Sequence, residues 1–123
     1  MIVGLGIDVV ALDRFQETIE RTPGLVERIF TPSEREMGHA SLAARWAAKE
    51  AVIKAWSGSR FAQRPVLPEG IHRDIEVITD MWGRPRVRLM GAIAEHLADV
   101  TIHVSLTHEG DTAAAVAILE TTP

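Results

Sequence analysis

Hydrophobic and polar positions alternate between two rhythms along this chain. Residues 2–10, IVGLGIDVV, are β-branched and apolar with glycines at 4 and 6, which predicts a strand with a bulge or a close backbone approach. Leu12, Phe15 and Ile19 fall at helical spacing, so 11–21 is predicted to be a helix that stops before Pro23-Gly24. TPSE at 31–34 is a capping-box pattern: Thr31 caps, Pro32 suits the first helical position, Glu34 reaches back, and a helix is expected to start there. The next helical stretch contains RWAAKEAVIKAW, 45–56, and ends near Ser57-Gly58. SGSRFAQRPVLPEG, 57–70, reads as a loop. DIEVIT, 74–79, alternates as a strand, WGRP turns, and RVRL returns as the second strand of a hairpin. MGAIAEHLA, 90–98, is helical, and VTIHVSLTH, 100–108, is a strand followed by a tight EGD turn. The last segment, TAAAVAILE, has the alanine content of a helix, but the turn before it favours a strand buried on both faces. The expected fold class is α+β: a single domain, 1–123, with an antiparallel sheet packed against two or three helices.

The helix at 45–56 departs from simple amphipathicity. At about 100° per residue, Arg45, Lys49, Val52 and Trp56 share one side and Ala48, Ala51 and Ala55 a second. Glu50 and Lys54 fall on a third, near Trp46 and Ile53. Apolar residues lie all round the cylinder with charges set between them, so this helix is expected to be largely buried.

Composition narrows the classes. With 123 residues, 46% hydrophobic and 24% charged, the chain has the makeup of one globular domain or one subunit of a larger assembly. A formal net charge of -4 argues against general nucleic-acid binding, which rests on a basic surface. The absence of cysteine excludes disulfides and thiolate metal sites. MIVGLGIDVV lacks a basic leader and is interrupted by Asp8, and no run approaches the roughly 18 apolar residues a membrane helix needs. A cytoplasmic protein without membrane contact is the expectation.

Four features carry candidate chemistry. Glu50 and Lys54 stand one helical turn apart. They form either an i,i+4 ion pair of a few tenths of a kcal/mol or a pair kept for a ligand, the carboxylate for a metal and the ammonium for a phosphate. Asp8, an acid in an apolar strand, either bonds backbone amides at a strand end or joins Glu50. Mg²⁺ is commonly held by one or two carboxylates together with water and phosphate oxygens. In SLTHEGD, His108 stands at a strand end, where it can donate to a phosphate or act as a base, whereas His103 reads as a packed or surface residue. Arg14, Arg21, Arg28 and Arg35 recur every seven residues, as solvated side chains or as a basic stripe that steers an acidic partner.

In order along nearly the whole chain, these segments resemble the holo-acyl-carrier-protein synthase family of small 4′-phosphopantetheinyl transferases. GLGIDVV resembles the family's opening Gly-hydrophobe-Gly-x-Asp strand, and RWAAKEAVIKA its Arg-Phe-Ala-Ala-Lys-Glu-Ala-x-x-Lys-Ala signature, with Trp46 where Phe is usual. DIEV, Gly83-Arg84-Pro85 and HVSLTH with an Ala-rich tail to Glu120 follow the remaining pattern. The segment after TPSE is shorter than in many members, and Glu109 replaces a residue that is often Thr. The resemblance implies transfer of the phosphopantetheine arm of coenzyme A to a serine of an apo acyl carrier protein in fatty acid biosynthesis, with release of 3′,5′-ADP. It further implies that Asp8 and Glu50 hold Mg²⁺ and that Lys54 contacts phosphate near the reacting phosphorus. Arg45, Ser57, Gly58, Pro85, Thr107 and His108 would shape the nucleotide and 3′-phosphate site, and Arg14 and Arg21 would receive the carrier's acidic helix. A homotrimer with active sites between subunits is implied as well. Glu50 acting through a Mg²⁺-bound water is the favoured acceptor for the serine proton, with His108 second. The competing classes are a non-catalytic oligomeric module that binds a nucleotide or an acidic protein, and a Mg²⁺-dependent phosphohydrolase.

Overall fold

The computed structural model describes residues 1–68 and 70–122; Glu69, within the expected loop, and Pro123 lie outside the described residues. Strand β1 (Ile2–Ala11) leads into helix α1 (Leu12–Arg21) and a short α2 (Leu25–Ile29). A single 3₁₀ turn (Glu34–Glu36) precedes the long α3 (His39–Ser59). The β2 (Ile75–Thr79) and β3 (Pro85–Leu89) hairpin, α4 (Gly91–His96), and the β4 (Val100–Glu109) and β5 (Thr112–Thr121) hairpin complete the order. All pairing is antiparallel, in a three-stranded sheet ordered β1-β5-β4 and a separate two-stranded sheet β2-β3. The α+β architecture expected from the sequence is the one observed; α2, five residues long, was too short to show a period.

The final segment is a strand, as tertiary pairing demands, but it is not closed on both sides. Ala113, Ala115, Ala117 and Leu119 are buried, whereas Ala114, Val116 and Ile118 on the outer face are half-buried within the single chain. The helix expected from TPSE also ends early. The capping box forms, with Thr31 N–H donating to Glu34 Oε1 (3.0 Å) and Glu34 N–H to Thr31 Oγ1 (3.4 Å). Gly38 then turns extended (φ -68°, ψ 167°), and α3 starts anew behind it.

Two constraints seat α3. On one side, Ala47, Ala48, Ala51 and Ala55 are fully buried, and the glycines of β1 lie directly against them. A Cβ at Gly6 would come within 1.9 Å of the Ala51 carbonyl oxygen, and one at Gly4 within 2.3 Å of that of Ala55; only glycine lets strand and helix approach this closely. On another side, Lys49 is wholly buried. Its ammonium donates to Glu34 Oε1 (2.8 Å) and to the carbonyls of His72 (2.8 Å) and Ile75, which uses all three of its donors. Glu34 Oε2 accepts the N–H of Val77 (2.9 Å), so the pair ties the 3₁₀ turn, α3, the 70–74 turn and β2 together.

Removing one partner of such a pair leaves an uncompensated buried charge. Lys49→Met should cost roughly 3–5 kcal/mol in urea unfolding. The double variant Lys49→Met/Glu34→Gln should cost less than Lys49→Met alone, because position 34 then carries no buried charge while its amide oxygen still accepts one of the two backbone N–H groups. A double variant less stable than the single one would refute this account of the pair.

Candidate active site

The strand alternation that turns Gly4 and Gly6 toward α3 turns Asp8 the same way. The helix surface there presents Glu50 and Lys54 instead of alanines. Lys54 donates to Asp8 Oδ1 (2.9 Å) and to the Ile7 carbonyl (3.1 Å). Among the described residues, the i,i+4 ion pair between Glu50 and Lys54 is not formed; Glu50 Oε1 instead meets His72 Nε2 at 2.8 Å. Asp8 and Glu50 line one cavity of about 520 Å³, together with Trp46, Arg14 and Phe15. Lys54 is 54% exposed, while Asp8 and Glu50 are 17% and 27% exposed.

The donor set can be tested against a divalent cation. One oxygen of each acid is engaged, Asp8 Oδ1 by Lys54 and Glu50 Oε1 by His72. Among the described residues no group of three His, Cys, Asp or Glu side chains is arranged to hold a metal. Two carboxylates lining one cavity fit Mg²⁺, which keeps several waters and takes substrate oxygens as further ligands.

Arg45, Pro85, Thr107 and His108 come together elsewhere, around a smaller cavity of about 130 Å³. Arg45 is buried and its Nε has no hydrogen-bond partner among the described residues. Burial holds its guanidinium pKa below the ordinary value, with the negative charge of Glu34 acting in the opposite direction. Such a donor, next to a cavity and short of an acceptor, is suited to an anion. Ser57 and Gly58 form a third location at the end of α3. They are not in a turn, as expected, but in the last helical turn, and Ser57 borders a small cavity of about 30 Å³. One chain therefore unites Asp8, Glu50 and Lys54 but does not bring the Arg45–Pro85–Thr107–His108 group into the same cavity.

The arginine series is only partly a stripe. Arg14 reaches the cavity that Asp8 and Glu50 line, and Arg21 stands exposed in the last turn of α1. Arg28 borders a neighbouring cavity with His72 and Arg73. Arg35 turns inward to bond the carbonyls of Phe30 (3.1 Å) and Glu27 (2.9 Å). His103 is exposed and pairs with Glu120, in keeping with its reading as a surface residue.

Two participants escaped the sequence. Glu34 was visible as a capping residue but not as the partner of Lys49, whose place on the side of Val52 and Trp56 was the available hint that it needed one. His72 lies in an aperiodic turn and gave no signal of its contact with Glu50.

Residues 4–117 match the sequence profile of the 4′-phosphopantetheinyl transferase superfamily. The holo-[acyl-carrier-protein] synthase of Mycobacterium tuberculosis strain H37Rv is 71% identical over 126 residues, 97% of each chain. A solved structure of Mycobacterium tuberculosis acyl carrier protein synthase superposes with a TM-score of 0.86 at 67% identity, covering 99% of this chain and 100% of that one. An ACPS–CoA complex from Chronobacterium ammoniagenes superposes with a TM-score of 0.88 at 34% identity, covering 98% of each. With a family profile matched over residues 4–117 and identity at this level over 97% of the chain, the chain belongs to the holo-[acyl-carrier-protein] synthase family of the 4′-phosphopantetheinyl transferase superfamily.

Proposed function

We propose that this chain, as one catalytic domain spanning 1–123, transfers 4′-phosphopantetheine from coenzyme A to a serine of an apo acyl carrier protein for fatty acid biosynthesis in the cytoplasm. The observation that carries the proposal is the entry of Asp8 and Glu50 into one cavity, with Lys54 paired to Asp8. Among the described residues, no helix is long and apolar enough to cross a membrane.

In the reaction, the serine oxygen bonds to the phosphorus that bears the pantetheine arm, the bridging P–O bond breaks, and 3′,5′-ADP leaves. Such transfers ask the protein for positioning and charge stabilisation. Asp8 and Glu50 would hold Mg²⁺, and the bound ion would offset charge on the diphosphate. Lys54, tethered to Asp8 but more than half exposed, swings to an oxygen of the transferring phosphoryl group. Glu50 receives the serine proton through an intervening water. His108 stands outside this cavity and joins Arg45, Pro85 and Thr107 in holding the nucleotide and its 3′-phosphate, with Ser57 and Gly58 one turn beyond Lys54. Arg14 and Arg21 present positive charge to the carrier.

The two groups of site residues would meet between subunits of a homotrimer. The outer face of the sheet supports that reading: Leu5, Ile7 and Val9 are 65%, 63% and 63% exposed, in register with Ile118, Val116 and Ala114. A contiguous apolar patch on a sheet face marks an interface.

Incubation with coenzyme A, Mg²⁺ and apo carrier should add one phosphopantetheine to the carrier by intact mass; binding without a mass change would instead favour a non-catalytic module. Glu50→Gln should lower turnover by about 100-fold or more at ordinary Mg²⁺, and Lys54→Ala should lower turnover more than it weakens coenzyme A binding. Parental rates in Glu50→Gln would refute the metal assignment. Arg14→Glu/Arg21→Glu should raise the carrier's KM and remove most of its salt dependence; identical kinetics at low and high salt in the parent would refute a steering role. Ile7→Asp should lower the mass seen by light scattering from three chains to one and abolish transfer. A trimeric, fully active Ile7→Asp would refute the interface.

A further inference from the structure

Glu50 is not left to solvent for its orientation. Its Oε1 lies 2.8 Å from Nε2 of His72, and the two side chains are 27% and 26% exposed. An ionised carboxylate only accepts hydrogen bonds, so Nε2 carries the proton. The imidazole stacks on Trp46, with ring centroids 4.6 Å apart and planes inclined by 24°, and Trp46 is itself part of the cavity wall beside Asp8 and Glu50. At the backbone, the buried Lys49 ammonium donates to the His72 carbonyl at 2.8 Å. His72 is thus held at its backbone by one residue of α3, on its ring face by a second and at its ring nitrogen by a third. That is more restraint than a surface imidazole in a turn requires for packing alone. Carboxylates that ligate metals are characteristically held by such outer hydrogen bonds.

We propose that His72 is the positioning residue for Glu50: braced on Trp46, its Nε2–H fixes one carboxylate oxygen and leaves the other available to a divalent cation. The proposal rests on the reading of Asp8 and Glu50 as the ligands of that cation. It also gives Trp46 a task in this chain, because the broad indole face supports the imidazole.

The full-length protein with coenzyme A can be titrated with Mn²⁺, and the unbound ion read by electron paramagnetic resonance. His72→Phe keeps a ring on Trp46 but lacks the donor, whereas His72→Gln keeps an N–H donor. His72→Phe should weaken Mn²⁺ binding about 10- to 100-fold and raise the Mg²⁺ needed for half-maximal transfer by the same factor, with the carrier's KM unchanged. His72→Gln should restore most of both. If circular dichroism shows His72→Phe unfolded, His72→Met serves as the donor-free partner of His72→Gln. Parental Mn²⁺ affinity in the donor-free variant overturns the proposal, as does equal weakening in the donor-free and Gln variants, which would reduce His72 to packing. Glu50→Gln separates the two levels. If it loses Mn²⁺ while the donor-free variant does not, only the positioning role falls; if it retains parental affinity, the metal reading and the positioning role fall together.

Discussion

The ion pair between Lys49 and Glu34 is shut off from solvent, at 0% and 1% exposure, and the elements that build the site are anchored to it. Taking two such charges out of water costs several kcal/mol per ion, recovered only when every donor and lone pair is answered. Here the ammonium has three acceptors, and the carboxylate accepts from Lys49 and from two backbone N–H groups. Even so, burial draws the Lys49 pKa below its ordinary value against the opposing pull of Glu34. Nearby, Thr31 and Ser33 hydroxyls donate to Glu76 and hold its carboxyl below the usual range, against a smaller opposing effect of burial. The arrangement is specific in a way an apolar plug would not be: it dictates which carbonyls of the 70–75 segment face α3.

That specificity reaches the site through adjacent residues. Lys49 and Glu50 point about 100° apart on the helix, one into the core and one toward the cavity, and both terminate on residue 72. Lys49 takes its carbonyl and Glu50 its imidazole. The other acid is placed by different means. Gly4 and Gly6 bring β1 against the alanine side of α3, and strand alternation delivers Asp8 to the same face two residues later. Two carboxylates from distant parts of the sequence therefore enter one cavity because of a buried charge on one side of the helix and an absence of side chains on the other.

Where an element's reason is local, it could be read from the chain. The glycine pair announced a close approach, the WGRP hairpin formed as expected, and the alanine-rich tail is the strand that its preceding turn indicates against its helix propensity. Long-range partners left weaker traces. The capping box around Glu34 was legible, but the carboxylate's turn into the core depends on Lys49, 15 residues away. The sevenfold arginine spacing suggested one stripe, yet Arg35 satisfies carbonyls at the end of α2. His72 belongs to an irregular turn whose side-chain directions no periodicity predicts, and only the tertiary position of α3 brings it to Glu50.

The separation of the site residues has a physical cause in the size of the chain. A sheet of three strands and one long helix can bury one face of each, and the helix spends its buried sides on the sheet, the hairpin and Lys49. What remains for ligands is shallow: Asp8, Glu50 and Lys54 at one surface, and Arg45 with Thr107 and His108 at another. An anion at Arg45 would meet a desolvated guanidinium with an unanswered Nε, and a diphosphate at Asp8 and Glu50 would require a cation to offset like charges. On the function proposed above, each surface would suit one half of a long, highly charged ligand, and the outward apolar strip of Leu5, Ile7 and Val9 would supply the driving force for a second copy to complete what one chain leaves open.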